Sequence, residues 1–415
     1  MKLLLTSVGS RGDIQPLFGL AVALQRRGHE VRVAVPPNFA AWSAELGLPF
    51  HSLGIDFHAF AQEQQDIARH PIHAIRVMIR LLQEQVSVQF RETRDLLSGV
   101  DRVVSSGLQF AVPALAEARG IPCHFAAFAP GLLPSPSHAP ALLPWANPPK
   151  IVIRPSWWLM EQVFGRTVGP IVNRERARLG LRPIHSVSRG LLGEHVLLAV
   201  DPLLSGPLPD DVQIPFVQTG AWTLSSGRPV PAEVDRFLAE GPPPFFLGFG
   251  SIPDASPEET TRLFIDAVQA VGGRALISRG WANLGSQPLP RGFLAVGDLP
   301  HELVFPRVAA VLHHGGAGTT QTTARAGVPQ IVVPHGADQF YWAHRVQRLG
   351  VAGTPLPKTK LNRHRLESAL RMAMNDSQMR IKARQLGMRL RETDGVSQAV
   401  RILEQEEERD RRRAS

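Results

Sequence analysis

An α/β protein built as two parallel-sheet domains is what this sequence predicts. Three observations carry the prediction: two runs of short apolar strands alternating with amphipathic helices, a polar, proline-bearing break between them, and glycine-rich turns where strands hand over to helices. The length of 415 residues agrees, because single cores stop growing at about 250–300 residues. Hydrophobic residues at 44% and charged residues at 20% suit a globular chain and exclude a disordered or fibrous one.

The first half opens on an apolar strand, 2–8, that stops at Gly9. A helical pattern follows at 14–27, with Leu17, Leu20, Ala21 and Leu24 on one face and Gly28 as its stop. Residues 30–35 read as a strand, 40–46 as a helix and 50–52 as a third strand. The stretch 71–97 is amphipathic, with Ile75, Met78, Ile79, Leu82 and Val86 on one side and Arg76, Arg80 and Gln83 on the other. Core is the expected role of that stripe; a surface for a greasy acceptor or an anionic membrane is the alternative. Strand 103–106, helix 113–119 and strand 123–128 come next, then an irregular Pro-, Ser- and Ala-rich stretch, 129–155, expected to be a loop over an acceptor, and a helical segment, 157–179. Trp157 and Trp158 there either line a pocket or pack.

A strand at 213–219 leads into the break. The expected division is an N-terminal acceptor-binding domain, 1–218, a linker, 219–231, a C-terminal nucleotide-binding domain, 232–395, and a C-terminal helix and tail, 396–415. Beyond the linker the rhythm restarts: strand 245–249, helix 257–270, strands 275–278, 293–296 and 309–313, helix 319–326 and strand 330–334. No short-period repeat exists, which excludes a solenoid.

The net charge of +9 asks for an anionic partner: nucleic acid, an acidic membrane surface or a phosphorylated small molecule. No aromatic-plus-glycine motif or zinc-finger spacing is present, and the charge-mixed tail 404–413 reads as a solvated helix end, so nucleic acid is not expected. A single cysteine, Cys123, supplies neither a disulfide nor a cysteine-ligated metal, which points to a reducing cytoplasm. The apolar start at 1–8 is too short for a signal-peptide core, and no apolar run nears the ~20 residues of a transmembrane helix. The expected home is therefore the cytoplasm, with peripheral contact at the inner face of the membrane as the variant.

Four constellations carry chemistry. Gly9-Ser10-Arg11-Gly12-Asp13 lies directly after the first strand, where ligands bind in parallel sheets. Asp13 there is either a helix cap or a functional acid. The run from His313 to Thr320 is again strand, glycine turn, helix; helix-start amides bare to solvent suit a phosphate. It has neither the lysine of a Walker A loop nor a dinucleotide fingerprint, and its histidine pair could donate to phosphate oxygen. Phe249-Gly250-Ser251 aims a hydroxyl at the same crevice, and Asp338-Gln339 offers partners for sugar hydroxyls, or else Asp338 is one more helix cap. Metal-ligand patterns are absent from the sequence, so a leaving diphosphate would be neutralised by amides, the helix dipole and side chains.

With these residues in place the chain resembles the GT-B nucleotide-sugar glycosyltransferases of family 1, in particular the bacterial branch that tailors glycopeptide antibiotics, and more distantly the sterol glucosyltransferases. The resemblance spans nearly the whole chain. It rests on 9–13, on Gln218-Thr219-Gly220-Ala221-Trp222, on Gly248-Phe249-Gly250-Ser251, on Ser278-Arg279-Gly280-Trp281, on 313–320, and on Ala326-Gly327-Val328-Pro329 continuing to Asp338-Gln339.

The resemblance implies two Rossmann-like domains facing across a cleft, and an inverting transfer in which Asp13 takes the proton of the acceptor hydroxyl as it attacks the anomeric carbon. It places His314, Gly316, Gly318 and Thr319 at the diphosphate with Ser10 and Ser251 near, Arg279, Trp281 and Leu299 beside base and ribose, and Asp338 and Gln339 at the donor sugar. It implies no metal and no cofactor beyond a nucleotide-sugar co-substrate, UDP-glucose or a TDP-sugar. Plant relatives carry Trp and Asn where this chain has Ala317 and Gly318, so the resemblance does not fix the donor. The expected acceptor is a hydrophobic natural product, with a sterol or lipid as alternative; arginine near an apolar pocket is also compatible with anionic aglycones or phenols. A nucleotide-sugar epimerase would need no acceptor loop, and a silent sensor would lack Asp13.

Overall fold

The computed structural model describes residues 1–56, 59–60, 71–141, 143 and 148–414, the side chains of 71–75, 78 and 414 excepted. Two all-parallel sheets form the frame. The first has seven strands: β1 (Lys2–Val8), β2 (Glu30–Val35), β3 (Phe50–Ser52), β4 (Arg102–Gly107), β5 (Cys123–Ala127), β6 (Val196–Leu198) and β7 (Phe216–Gln218), in the order β3-β2-β1-β4-β5-β6-β7. The second has β8 (Phe245–Leu247), β9 (Ala275–Ser278), β10 (Phe293–Val296), β11 (Ala310–His313) and β12 (Gln330–Val332), in the order β10-β9-β8-β11-β12.

Strand periodicity assigns each face its partners. On β1, Leu3 and Leu5 point to a core with Leu17, Phe18 and Leu24 of the first helix, Arg11–Arg26. Leu4 points to the opposite core, with Val86, Phe90 and Leu115. The second sheet repeats the scheme: Phe245 and Leu247 meet Phe264 and Leu366 on one side, and Phe246 meets Val304 and Phe305 on the other. A further core joins the halves, where Leu198, Val200 and Leu204 pack on Trp342, Ala343 and Val346.

Strand order fixes where a ligand can enter. The chain winds outward from β1 to β3 and then crosses to β4; in the second sheet it winds from β8 to β10 and crosses to β11. Each reversal opens a crevice at the carboxyl ends of the strands beside it, the general ligand position in open α/β sheets. The turns after β1, β8 and β11 are the sequence constellations 9–13, 248–251 and 313–320.

Several expectations needed correction. The irregular stretch expected to reach Pro155 ends earlier: a helix runs Lys150–Thr167, broken at Val168 from a second, Gly169–Arg178. Pro155 lies on the second turn, where it has no N–H for the Ile151 carbonyl, and the helix continues through it. Residues 142 and 144–147 of that stretch, and the side chains of Ile75 and Met78 in the amphipathic helix Pro71–Thr93, lie outside the described residues. Val86 of the same helix is core as expected. Strand β6, at three residues, escaped the sequence reading.

The charged tail is not simply a solvated end. The helix Gly395–Ala414 returns to the first domain, burying Val396, Val400 and Leu403 against the helix Arg11–Arg26. Its crossing point is a glycine contact, where a Cβ on Gly220 would stand 3.3 Å from Gly395 Cα. Glu404 then binds Arg27 at 2.9 Å, Glu406 binds Arg102 at 3.0 Å, and Asp410 binds Arg102 at 2.7 Å. Arg411 and Arg412 do face water, in i,i+4 pairs with Glu407 and Glu408. Among the described residues no helix is long and apolar enough to cross a membrane.

Candidate active site

The turn after β1 is shaped around one carboxylate. Ser10 caps the helix Arg11–Arg26 in a capping box: its hydroxyl accepts from Gly12 N–H at 3.3 Å, and its own N–H donates to Asp13 Oδ2 at 3.0 Å. Asp13 is thus both a cap and a candidate base, since these bonds fall on Oδ2. Burial pushes its carboxyl up to about 6, against the Ser10 backbone hydrogen bond that lowers it; the negative charge of Asp338 adds to the rise.

Asp338 comes from the other domain, at the residue before the helix Gln339–Arg348. Its side chain makes no capping bond, so it is not the helix cap that the sequence allowed. Instead Oδ2 accepts the indole N–H of Trp342 at 2.9 Å. Burial raises this carboxyl also to about 6, despite the Trp342 bond. Gln339 is oriented by its own turn: Oε1 accepts from the N–H groups of His335 at 2.7 Å and Gly336 at 3.1 Å, which leaves its amide N–H₂ for a ligand.

The turn after β11 separates its two histidines. His313 is buried and fully used: Nδ1 accepts from Gly315 N–H at 3.0 Å, so Nε2 carries the proton toward Gln330 Oε1 at 2.8 Å. It is therefore a structural residue, and the expected pair reduces to one donor. His314 stands between glycines, where a Cβ on Gly250 would lie 3.3 Å from its ring and a Cβ on Gly316 would collide with Nε2. Its buried Nδ1 has no protein partner. Burial and the neighbouring His313 and His335 push its pKa down to about 3, so the ring is neutral. Behind it the helix Ala317–Ala326 starts at Gly316 with no side-chain cap, which leaves its first-turn amides, those of Gly318 and Thr319 among them, to an anion.

The loop from β9 is clamped onto the turn after β8. Trp281 N–H donates to Gly250 O at 2.9 Å, and a Cβ on Gly280, at φ +49°, would collide with that oxygen. Trp281 and Ser251 are half-buried and Arg279 is exposed. Leu299 differs: its side chain is buried in the core with Val304 and Phe305, so only its backbone is open to a ligand. Neighbouring Asp298 pairs with Arg11 across the cleft, and Arg11 lies over the Trp42 ring at 4.7 Å.

These turns bring Asp13 within reach of the charge of Asp338, and set Gly315, next to His314, against Gln339, next to Asp338. Beside Asp338 a cavity of about 360 Å³ opens between the proline-rich stretch and the helix Gln339–Arg348. Sequence reasoning missed its far wall. The signal was there: Tyr341, His344, Arg345 and Arg348 recur at i, i+3, i+4 and i+7, a single helix face. Trp157 packs against His138 behind this cavity, donating to His138 O at 2.8 Å, whereas Trp158 is exposed.

One described trio also has metal-ligating atoms within 4.8 Å of one another: His124, His195 and Glu406. It sits at the amino ends of β5 and β6, away from the cleft, and Arg102 already pairs with its carboxylate.

Comparison with known proteins accords with this geometry. Residues 3–133 match the glycosyltransferase family 28 N-terminal domain, and 264–394 the C-terminal domain of the erythromycin biosynthesis protein CIII-like group. The vancomycin aglycone glucosyltransferase of Amycolatopsis orientalis is 37% identical over 97% of both chains. The chain belongs to the antibiotic-tailoring glycosyltransferases. A sterol 3-beta-glucosyltransferase of Arabidopsis thaliana, UGT80A2, is a more distant relative of this glycosyltransferase, 29% identical over 97% of this chain and 65% of that protein. The glycosyltransferase VinC, solved with dTDP, has the same GT-B fold with a TM-score of 0.69, 21% identity, and coverage of 99% of this chain and 100% of that one.

Proposed function

We propose that this glycosyltransferase moves a hexose from a UDP- or TDP-sugar to a hydroxyl of a hydrophobic natural product, with inversion, and that Asp13 is the general base. The carrying observation is the half-buried Asp13 carboxyl, at the switch point of the first sheet, close enough to Asp338 of the second domain to feel its charge and raised to about 6. A base near neutrality fits the task, because general-base action works best when its pKa approaches the operating pH.

The acceptor hydroxyl attacks the anomeric carbon from the face opposite the diphosphate. The C–O bond to the sugar forms as the bond to the diphosphate oxygen breaks, and the hydroxyl proton passes to Asp13 Oδ1. The departing charge meets the first-turn amides of the helix Ala317–Ala326 and the N–H of the neutral His314 ring, whose Nε2 lies beside Gly316 at the start of that helix. Ser251, Thr319 and Ser10 line the approach, Arg279, Trp281 and the Leu299 backbone flank the nucleoside, and Asp338 and Gln339 bind sugar hydroxyls. No step uses a metal in this scheme, so activity survives EDTA.

The test is turnover with an aglycone and phenol library. Asp13→Asn keeps donor binding and loses about tenfold or more of the rate; wild-type turnover in that variant rejects the base.

One observation favours a second reading, a lipid acceptor met at a membrane. The helix Lys150–Thr167 exposes Ile151 (82%), Trp158 (63%), Leu159 and Val163, and it carries Lys150, Arg154 and Arg166. Its one acid, Glu161, turns inward to the Val187 amide at 2.6 Å. Flotation with anionic liposomes at low salt decides: a protein that stays at the bottom of the gradient removes the lipid reading.

A further inference from the structure

The cavity beside Asp338 holds cations that nothing answers. Lys150, Arg345 and Arg348 line it, Asp338 is its only lining acid among the described residues, and most of the remaining wall is proline, alanine and leucine. Among the described residues no carboxylate pairs with any of the three cations. Arg345 matters most. It is half-buried, its Nε donates to Leu204 O at 3.1 Å, and its guanidinium is laid over Gly206, where a Cβ would come within 2.9 Å of Cζ. The head group is therefore fixed, but by a carbonyl and a glycine rather than by a counter-charge. A guanidinium held in place by a carbonyl and a glycine, with no carboxylate bound, keeps its charge for an anionic ligand.

A second observation points the same way. His138, on the opposite wall, has a buried Nε2 with no hydrogen-bond partner, and burial keeps its ring neutral. A small shift of that ring would bring an unused polar atom to the cavity wall.

We propose that this cavity selects an acceptor bearing an acidic group, a compact ring system with a carboxylate that Arg345 grips while Arg348 and Lys150 stand at the mouth. The volume of about 360 Å³ is at the small end of ligand sites, enough for one fused-ring system or one arm of a larger acceptor. The inference rests on the glycosyl-transfer reading, and it gives that reading a substrate class. Asp338 connects the two, since it lines this cavity and its charge is felt by Asp13. An acceptor held by its acid at Arg345 would present a hydroxyl toward Asp13.

The test uses matched fluorescent probes on the full-length protein: anilinonaphthalene sulfonate, an apolar anion, and phenylnaphthylamine, its uncharged counterpart. The anion binds wild type about tenfold more tightly than the neutral probe; Arg345→Gln and Arg348→Gln each weaken it about fivefold and leave the neutral probe within about twofold, and Arg345→Lys restores most of the loss. Equal affinity for both probes in wild type, or unchanged anion affinity in the Gln variants, overturns the proposal. Should Arg345→Gln fail to fold, Arg348→Gln decides. Calorimetry with UDP and TDP on the same proteins keeps the two readings apart: a wild type that binds neither nucleotide strikes the donor assignment and leaves the probe result standing.

Discussion

The carboxylate of Asp13 fills the space that a side chain on Gly9 would need. A Cβ at Gly9 would stand 2.9 Å from Asp13 Cγ and closer still to Oδ2, and Gly9 itself adopts φ +143°, a conformation that side chains rarely take. Gly9→Ala therefore forces either the turn or the acid to move. Expected are a loss of about 1–3 kcal/mol in urea unfolding and a turnover reduced about tenfold or more, with nucleotide affinity unchanged. An active, fully stable Gly9→Ala would mean that Asp13 tolerates displacement.

Activity should follow the ionisation of Asp13. A base must be deprotonated, so kcat/KM rises with pH through about 6 and levels off above it. A stopped assay from pH 5 to 8 measures the limb, and a flat profile there would detach the rate from this carboxyl.

The same shift has an opposite effect on stability. Because burial raises Asp13 above 3.8, the folded chain holds the proton more tightly than the unfolded one. Its contribution thus favours the fold below about pH 4 and is lost as pH rises through about 6. Asp13→Asn, uncharged throughout, should then be more stable than wild type at pH 7.5, on the order of 1 kcal/mol, while nearly inactive. Differential scanning calorimetry at two pH values reads this, and a destabilised Asn variant would show that the charge is better solvated than its surroundings indicate.

Asp338→Asn separates the two acids. The amide oxygen still accepts the Trp342 indole, so the fold is kept; burial still raises Asp13, but the added rise from the Asp338 charge is gone. The acid limb of the rate profile moves to lower pH, and KM for the donor rises. A limb that stays in place would mean that Asp338 does not act on Asp13.

The returning helix Gly395–Ala414 is tied down by charge. Burial pushes the Glu406 carboxyl up, yet the hydrogen bond from His124 at 2.6 Å and the charges of His124 and Arg102 outweigh it and hold the group below 4.5. Its stabilisation is present above the usual glutamate range and is lost as pH falls through that lower value. Glu406→Ala leaves buried Arg102 to Asp410 and costs about 1–3 kcal/mol by urea titration at pH 7, a difference that shrinks in acid.

What the sequence discloses and what it hides follow from range. The helix Pro257–Ala270 and strands β1, β2, β3, β9 and β10 fell where local patterning put them, because their apolar periods and glycine or proline stops are encoded within the element. The glycine turns were legible for the same reason, and Asp13 with them. The division of labour between His313 and His314 was not, since it depends on Gln330, seventeen positions on. The destination of the C-terminal helix was equally hidden: Glu406 and Arg102 are 304 residues apart, and a charge-mixed tail looks alike whether it faces water or a buried guanidinium. The cavity required the helix Gln339–Arg348 to be laid against the proline-rich stretch, a contact that no single segment announces.

The most direct measurement is calorimetric titration of UDP and TDP into wild type, Asp13→Asn and His314→Ala without added metal. Wild type and Asp13→Asn should bind one of the nucleotides alike, and His314→Ala should bind it about tenfold or more weakly, because the N–H of a neutral ring and the amides behind it hold the diphosphate. If wild type binds neither, or if His314→Ala binds as wild type does, the donor site is not where the turn after β11 places it, and the account of transfer built on that turn is wrong.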